Sequence, residues 1–267
     1  MKQPINPTCI DSLCASLAYA MGLEAPACAA EADPRLNAFV DNAFGGEKCD
    51  RIFMYNPDAI GEWVYRKYPH LFKELEFREY TEFPYHTVMP SVTPVCFGTI
   101  YTGAQPDVHG IKQYEKPVIS IDTIFDVLIR AGKKPVIIGD AQSSLCNIYL
   151  NRDMDYYPCE KVEDVNAKAA EIILKDEHDF VVVYNKNYDS IMHKYGPDSL
   201  EALTEMRCNV ETLAMFDSMI AEHWKHHRTL LGFAMDHGAH EIDGGCGSHG
   251  LDMPEDLNIV HLYKTRG

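Results

Sequence analysis

The chain is short of positive charge. Its 267 residues carry 24 lysines and arginines against 40 aspartates and glutamates, a formal net charge of −16. A nucleic-acid backbone and an anionic lipid surface both select the opposite balance, so neither a nucleic-acid polymer nor a membrane is expected as a partner. No uninterrupted apolar run approaches the ~18 residues that span a bilayer. There is also no CxxC pair. The nine cysteines are scattered and odd in number, which argues against a cysteine zinc knuckle and against a disulfide framework. They read as reduced thiols filling the core of a cytoplasmic protein. Internal repeats, low-complexity tracts and Pro/Gly/Ser-rich linkers are missing as well, so nothing divides the chain. With 46% hydrophobic and 24% charged residues the composition excludes disorder, and the length suffices for a full core.

What is there is an alternation. Short apolar runs at 51–56, 134–139, 179–184, 230–235 and 258–264 read as buried strands. Between and before them, 10–22, 33–44, 59–68, 93–103, 122–131, 162–175 and 200–225 read as helices, the first capped by Asp11. The apolar stretch Leu13 to Leu23, followed by Ala25-Pro-Ala-Cys-Ala-Ala, has the outline of a leader. Only Lys2 precedes it, however, and Asp11 opens it, so a helix packed on the main body is expected. Strands of five or six apolar residues alternating with helices imply an α/β fold. Its sheet is mostly parallel with helices on both faces, and residues 1–48 form a small helical N-terminal extension.

Sites in open α/β sheets lie beyond the carboxyl ends of the strands. Asp58 follows the first strand, Asp189-Ser-Ile-Met-His193 the third, and Asp236-His237-Gly238 the fourth, with Gly247-Ser-His249-Gly250 soon after. Each has a plain structural reading: Asp58 as a helix N-cap, Asp189 and His193 as a surface pair four residues apart, His249 as loop. Together, Asp and His at three strand ends are what a binuclear site requires. Oxygen and nitrogen donors without cysteine suit Zn²⁺, Mn²⁺ or Mg²⁺ in a catalytic setting. Thr93 stands at the head of a helix, where free backbone N–H groups favour a phosphate. It reads as an N-cap, as a nucleophile, or as both.

The segment Pro90 to Gly110 (PSVTPVCFGTIYTGAQPDVHG) resembles the nucleophile region of the type I phosphodiesterases/nucleotide pyrophosphatases of the alkaline phosphatase superfamily. The likeness continues in order through Asp58, Asp189-x-x-x-His193, Asp236-His237-Gly238 and Gly247-Ser-His249-Gly. It implies an alkaline phosphatase-like, metal-dependent hydrolase domain over 49–267, acting on a small phosphorylated substrate. It further implies two divalent ions, Zn²⁺ with Mn²⁺ as the alternative. One would be held by Asp189, His193 and His249, the other by Asp58, Thr93, Asp236 and His237. Thr93 would be the nucleophile, passing through a phospho-threonine to cleave a phosphodiester or pyrophosphate. A phosphomonoesterase, a phosphonate hydrolase or an inert metal-binding relative is the alternative. The chain departs from the pattern at Cys96, where those enzymes usually carry Asn three residues after the Thr, and at Ala59, where Gly usually follows the first Asp. Arg152, Lys186 and Lys194 read as surface charge with substrate contact as the alternative, and His240 and Asp243 as supports beside the ligands.

Overall fold

The computed structural model describes residues 4–267; Lys2 lies outside them. Its strands are β1 Arg51–Pro57, β2 Thr81–His86, β3 Pro135–Asp140, β4 Asp155–Cys159, β5 Phe180–Asn185, β6 Thr229–Phe233, β7 His240–Ile242, β8 Cys246–Ser248 and β9 Asn258–Arg266. Seven of them form one sheet in the order β2-β9-β6-β1-β5-β3-β4, and β7 pairs with β8 in a separate ribbon. From β6 to β4 all neighbours run parallel. The last strand, β9, is antiparallel to both β6 and β2. The sheet is thus mostly parallel, with one reversed strand near an edge.

The central strands are apolar on both faces because both are covered. On β1 the alternation sorts the side chains. Phe53 packs edge-on against Phe216 and Trp224 at the end of the long helix Leu200–His223. Asn56 points the other way and accepts from Tyr101 Oη, 2.7 Å away, in the helix Thr93–Thr102. Tyr101, Phe125, Tyr149 and Phe180 close an aromatic cluster on that second face. The apolar N-terminal stretch forms the helix Ser12–Ala20, with Leu13 and Leu17 fully buried. It lies on the helix Thr93–Thr102, and Cys14 Sγ meets Tyr101 O at 3.5 Å. No helix among the described residues is long and apolar enough to cross a membrane.

Two local expectations are corrected. Asp11 makes no cap hydrogen bond; its carboxylate accepts from Gln105 Nε2 at 2.6 Å instead. The helix expected from residue 59 starts only at Glu62, because Ala59 takes a left-handed φ of 64°. Strands β2 and β4 were not expected from the sequence. Both contain proline, Pro84 and Pro158, and both lie at sheet edges, where a missing N–H is tolerated.

Candidate metal centre

Adjacent parallel strands β6, β1 and β5 end side by side, and their next residues carry the chemistry. Asp58 follows β1 directly. Asp189 and His193 lie in the helix Asn187–Tyr195 after β5, and Asp236 and His237 follow β6. His249 comes from the loop after the β7–β8 ribbon. The structure brings all six together, in two groups of three. Asp58, Asp236 and His237 are buried; Asp189, His193 and His249 are partly open to solvent.

In the buried group, His237 Nε2 lies 3.4 Å from Asp58 Oδ1 and 3.3 Å from Asp236 Oδ2. In the open group, Asp189 Oδ1 lies 3.2 Å from His193 Nε2 and 3.4 Å from His249 Nε2, and the two Nε2 atoms are 3.2 Å apart. The rings of His237 and His249, 4.2 Å between centroids, join the groups. All three imidazoles are turned the same way. Nδ1–H of His237 donates to Gly238 O, that of His193 to Gly247 O, and that of His249 to Ser91 O. Each Nε2 is left facing the carboxylates, where its lone pair can meet an ion.

The carboxylates match this arrangement. Asp58 Oδ1, Asp189 Oδ1 and Asp236 Oδ2 are buried without a hydrogen-bond partner, and these are the atoms nearest the Nε2 atoms. A buried acceptor without a donor is costly unless a cation meets it. Ligand atoms about 2.0–2.2 Å from a tetrahedral ion stand roughly 3.3–3.6 Å apart, close to the separations here. The residues therefore fit a divalent cation in each group. Electrostatics agree. Burial, and then the neighbouring acidic charges, push Asp58 well above the usual carboxylate range. Asp236 is also pushed up, chiefly by burial. Burial would raise Asp189 too, but His193 and His249 hold it below the usual range. Burial drives His237 well below the ordinary imidazole value, which keeps it an unprotonated donor.

Thr93 opens the helix Thr93–Thr102, and the N-cap is Val92, so Thr93 is the first helical residue rather than the cap. Its Oγ1 lies 3.5 Å from Asp58 Oδ2 and 3.4 Å from His237 Nε2. Asp58 caps no helix; the following one starts from Gly61. Gly238 is required by a close approach rather than a tight turn, since a Cβ there would stand 2.1 Å from Glu255 O. Ala59 holds the left-handed conformation that glycine normally occupies, and its N–H donates to Asp236 Oδ1 at 3.2 Å.

The remaining candidates divide. His240 Nδ1 is 2.7 Å from Asp256 Oδ1, and Asp256 Oδ2 accepts from Leu251 N at 2.8 Å, bracing the loop that carries His249. Asp243 sits exposed in the β7–β8 turn. Arg152 is internal, bonded to Asp126 and to Ile119 O, and Lys186 pairs with Asp140 at 2.7 Å. Cys96 is fully buried and accepts from Thr87 Oγ1 at 3.0 Å, so its thiol is engaged with the core. One residue escaped the sequence reading. Tyr184, in the apolar run of β5, donates its hydroxyl to Asp58 Oδ2.

No family model matches the chain, and no curated protein sequence does. Solved structures do share its architecture. Murine ectonucleotide pyrophosphatase/phosphodiesterase 5 superposes with a TM-score of 0.57 at 18% identity, covering 73% of this chain and 58% of its own. Phosphonoacetate hydrolase from Sinorhizobium meliloti gives 0.55 at 17% identity, covering 73% and 59%. The C-terminal periplasmic domain of a Campylobacter jejuni phosphoethanolamine transferase gives 0.59 at 13% identity, covering 81% and 80%. The chain has the alkaline phosphatase-like fold. It spans less than two thirds of the length of the first two of these structures. An inactive form of the murine protein carries a threonine-to-alanine substitution and was solved with AMP.

Proposed function

We propose that this protein is a metal-dependent phosphoric ester hydrolase of the phosphodiesterase/nucleotide pyrophosphatase type, with Thr93 as its nucleophile. The observation that carries the reading is the position of Thr93 Oγ1. It stands at the first turn of a ten-residue helix, 3.5 Å from Asp58 Oδ2 and 3.4 Å from His237 Nε2. Asp189, His193 and His249 would hold one divalent ion, and Asp58, Asp236 and His237 a second that Thr93 joins. The donor set favours Zn²⁺, with Mn²⁺ as the alternative. Such ions supply positive charge to phosphoryl oxygens and favour the ionised form of a bound hydroxyl.

The chain's own residues do the rest. Thr93 presents its hydroxyl to Asp58 Oδ2, which accepts its proton. The helix that begins at Thr93 points its positive end at the phosphoryl group and favours its negative charge. Attack of Oγ1 on phosphorus forms a threonyl phosphate ester as the leaving oxygen departs. Attack by water then breaks the Oγ1–P bond, and the proton held by Asp58 returns to Oγ1 of the threonine. His193, His237 and His249, each fixed through Nδ1, keep their Nε2 atoms aimed and cost little reorganisation during the reaction. The nine unpaired cysteines suit a reducing, cytoplasmic setting.

The test is steady-state hydrolysis of a nitrophenyl phosphodiester and the matching monoester, with Zn²⁺ or Mn²⁺ added. Diester turnover that needs metal and disappears in Thr93→Ala supports the reading. A monoester preference moves the protein to the phosphatases, and turnover of phosphonoacetate moves it to the phosphonate hydrolases. Full activity in Thr93→Ala removes the nucleophile.

A further inference from the structure

The buried group shows a division of labour among its atoms. Asp236 gives Oδ1 to the N–H of Ala59 at 3.2 Å and keeps Oδ2 free of any donor. His237 uses Nδ1 on Gly238 O at 2.9 Å and turns Nε2 inward. In both, one atom is pinned by the scaffold and the other faces the point where the three residues meet. Asp58 follows the same plan, but no backbone group pins it. Its Oδ2 accepts the hydroxyl of Tyr184, and its Oδ1 is the unpartnered atom 3.4 Å from His237 Nε2.

We propose that Tyr184 is the positioning residue of this half of the centre: its hydroxyl holds Asp58 Oδ2 so that Oδ1 faces the ion. The inference rests on the two-ion reading above and adds to it a residue that is not itself a ligand. Tyr184 suits the role because it is buried and packed. It sits at the end of β5, with its ring edge-on to Phe97 at 5.6 Å between centroids. On β3, the strand beside β5, Gly139 lets Tyr184 pack close, since a Cβ there would stand only 3.2 Å from Tyr184 Cβ. A carboxylate without that donor could rotate about its terminal torsion, which is broad for aspartate. Oδ2 is also the oxygen nearest the Thr93 hydroxyl, so the same bond sets the acceptor that Thr93 meets. A partner held this way to a metal-ligating carboxylate is typically worth 10–100-fold in metal affinity.

The experiment is a Zn²⁺ titration of metal-free protein in competition with a chromogenic chelator, run on wild type, Tyr184→Phe, His249→Ala and the double variant. Wild type is expected to take up two ions. Tyr184→Phe is expected to bind one with unchanged affinity and the other about 10–100-fold more weakly. In the His249→Ala background, which isolates the buried group, the loss should fall on the single remaining ion. A residue that merely fills the core would leave both affinities alone. Two ions of wild-type affinity in Tyr184→Phe therefore overturn the role of Tyr184 and spare the two-ion reading. Fewer than two ions in wild type overturn both. Should Tyr184→Phe fail to fold, proton NMR of wild type decides. A slowly exchanging phenol proton that persists in the metal-free and zinc-loaded forms is expected, and its disappearance on zinc loading overturns the inference.

Discussion

Removing the cations should cost this fold a large part of its stability, and the amount follows from three atoms. Asp58 Oδ1, Asp189 Oδ1 and Asp236 Oδ2 are buried acceptors that no protein donor reaches. An unsatisfied buried acceptor costs about 1–3 kcal/mol, so the metal-free protein carries a penalty of several kcal/mol at one end of its sheet. An ion present at about 100 times its Kd stabilises the folded state by about 2.7 kcal/mol, and two such ions by about 5 kcal/mol. For chains near this size each kcal/mol moves Tm by roughly 2–4 °C, so saturating zinc should raise Tm by roughly 10–20 °C. Melting of chelator-treated protein, followed by circular dichroism with and without zinc, reads the shift. Asp189→Asn keeps the volume but weakens one ligand of the open group, and should retain only about half of the gain. A zinc-independent Tm in wild type, or the full gain in Asp189→Asn, would refute the ligand assignment.

One further outcome follows from residues outside the ligand set. His109 and His261 are buried and neutral, each held at about 4 by burial against an ordinary 6.5. Because the folded values are depressed, their contribution is complete above pH 6.5 and is lost as pH falls toward 4. Between pH 7 and 5 each costs about 2 kcal/mol. In chelator, His261→Gln should therefore lose about that much less than wild type over the interval by urea unfolding; equal losses would contradict the assignment.

Much of this was legible in the sequence because the parallel sheet makes its own signals. Buried on both faces, β1, β3, β5 and β6 read as unbroken apolar runs, and a polar residue just past such a run must sit at the sheet's open end. That logic found Asp58, Asp189 and Asp236, and helical spacing added His193. The edge strands β2 and β4 were hidden because Pro84 and Pro158 read as breakers, whereas an edge tolerates them. The start of the helix at Glu62 depended on the backbone of Ala59, whose left-handed φ no residue type but glycine advertises. Tyr184 was hidden for a different reason. In an apolar strand a tyrosine counts as core, and only the three-dimensional neighbour, Asp58, gives its hydroxyl a purpose. Cys96, read as a departure in the chemistry, is spent on Thr87 inside the core.

The central claim is that Thr93 takes the phosphoryl group, and a rapid acid quench tests it most directly. Zinc-loaded protein would be mixed with a nitrophenyl phosphodiester, stopped within one turnover, digested, and mapped by mass spectrometry. The account predicts a burst of nitrophenol and a phosphate ester on the peptide that carries Thr93, absent without metal and absent in Thr93→Ala. Turnover with an unmodified Thr93 peptide, or an ester on any other residue, would contradict it.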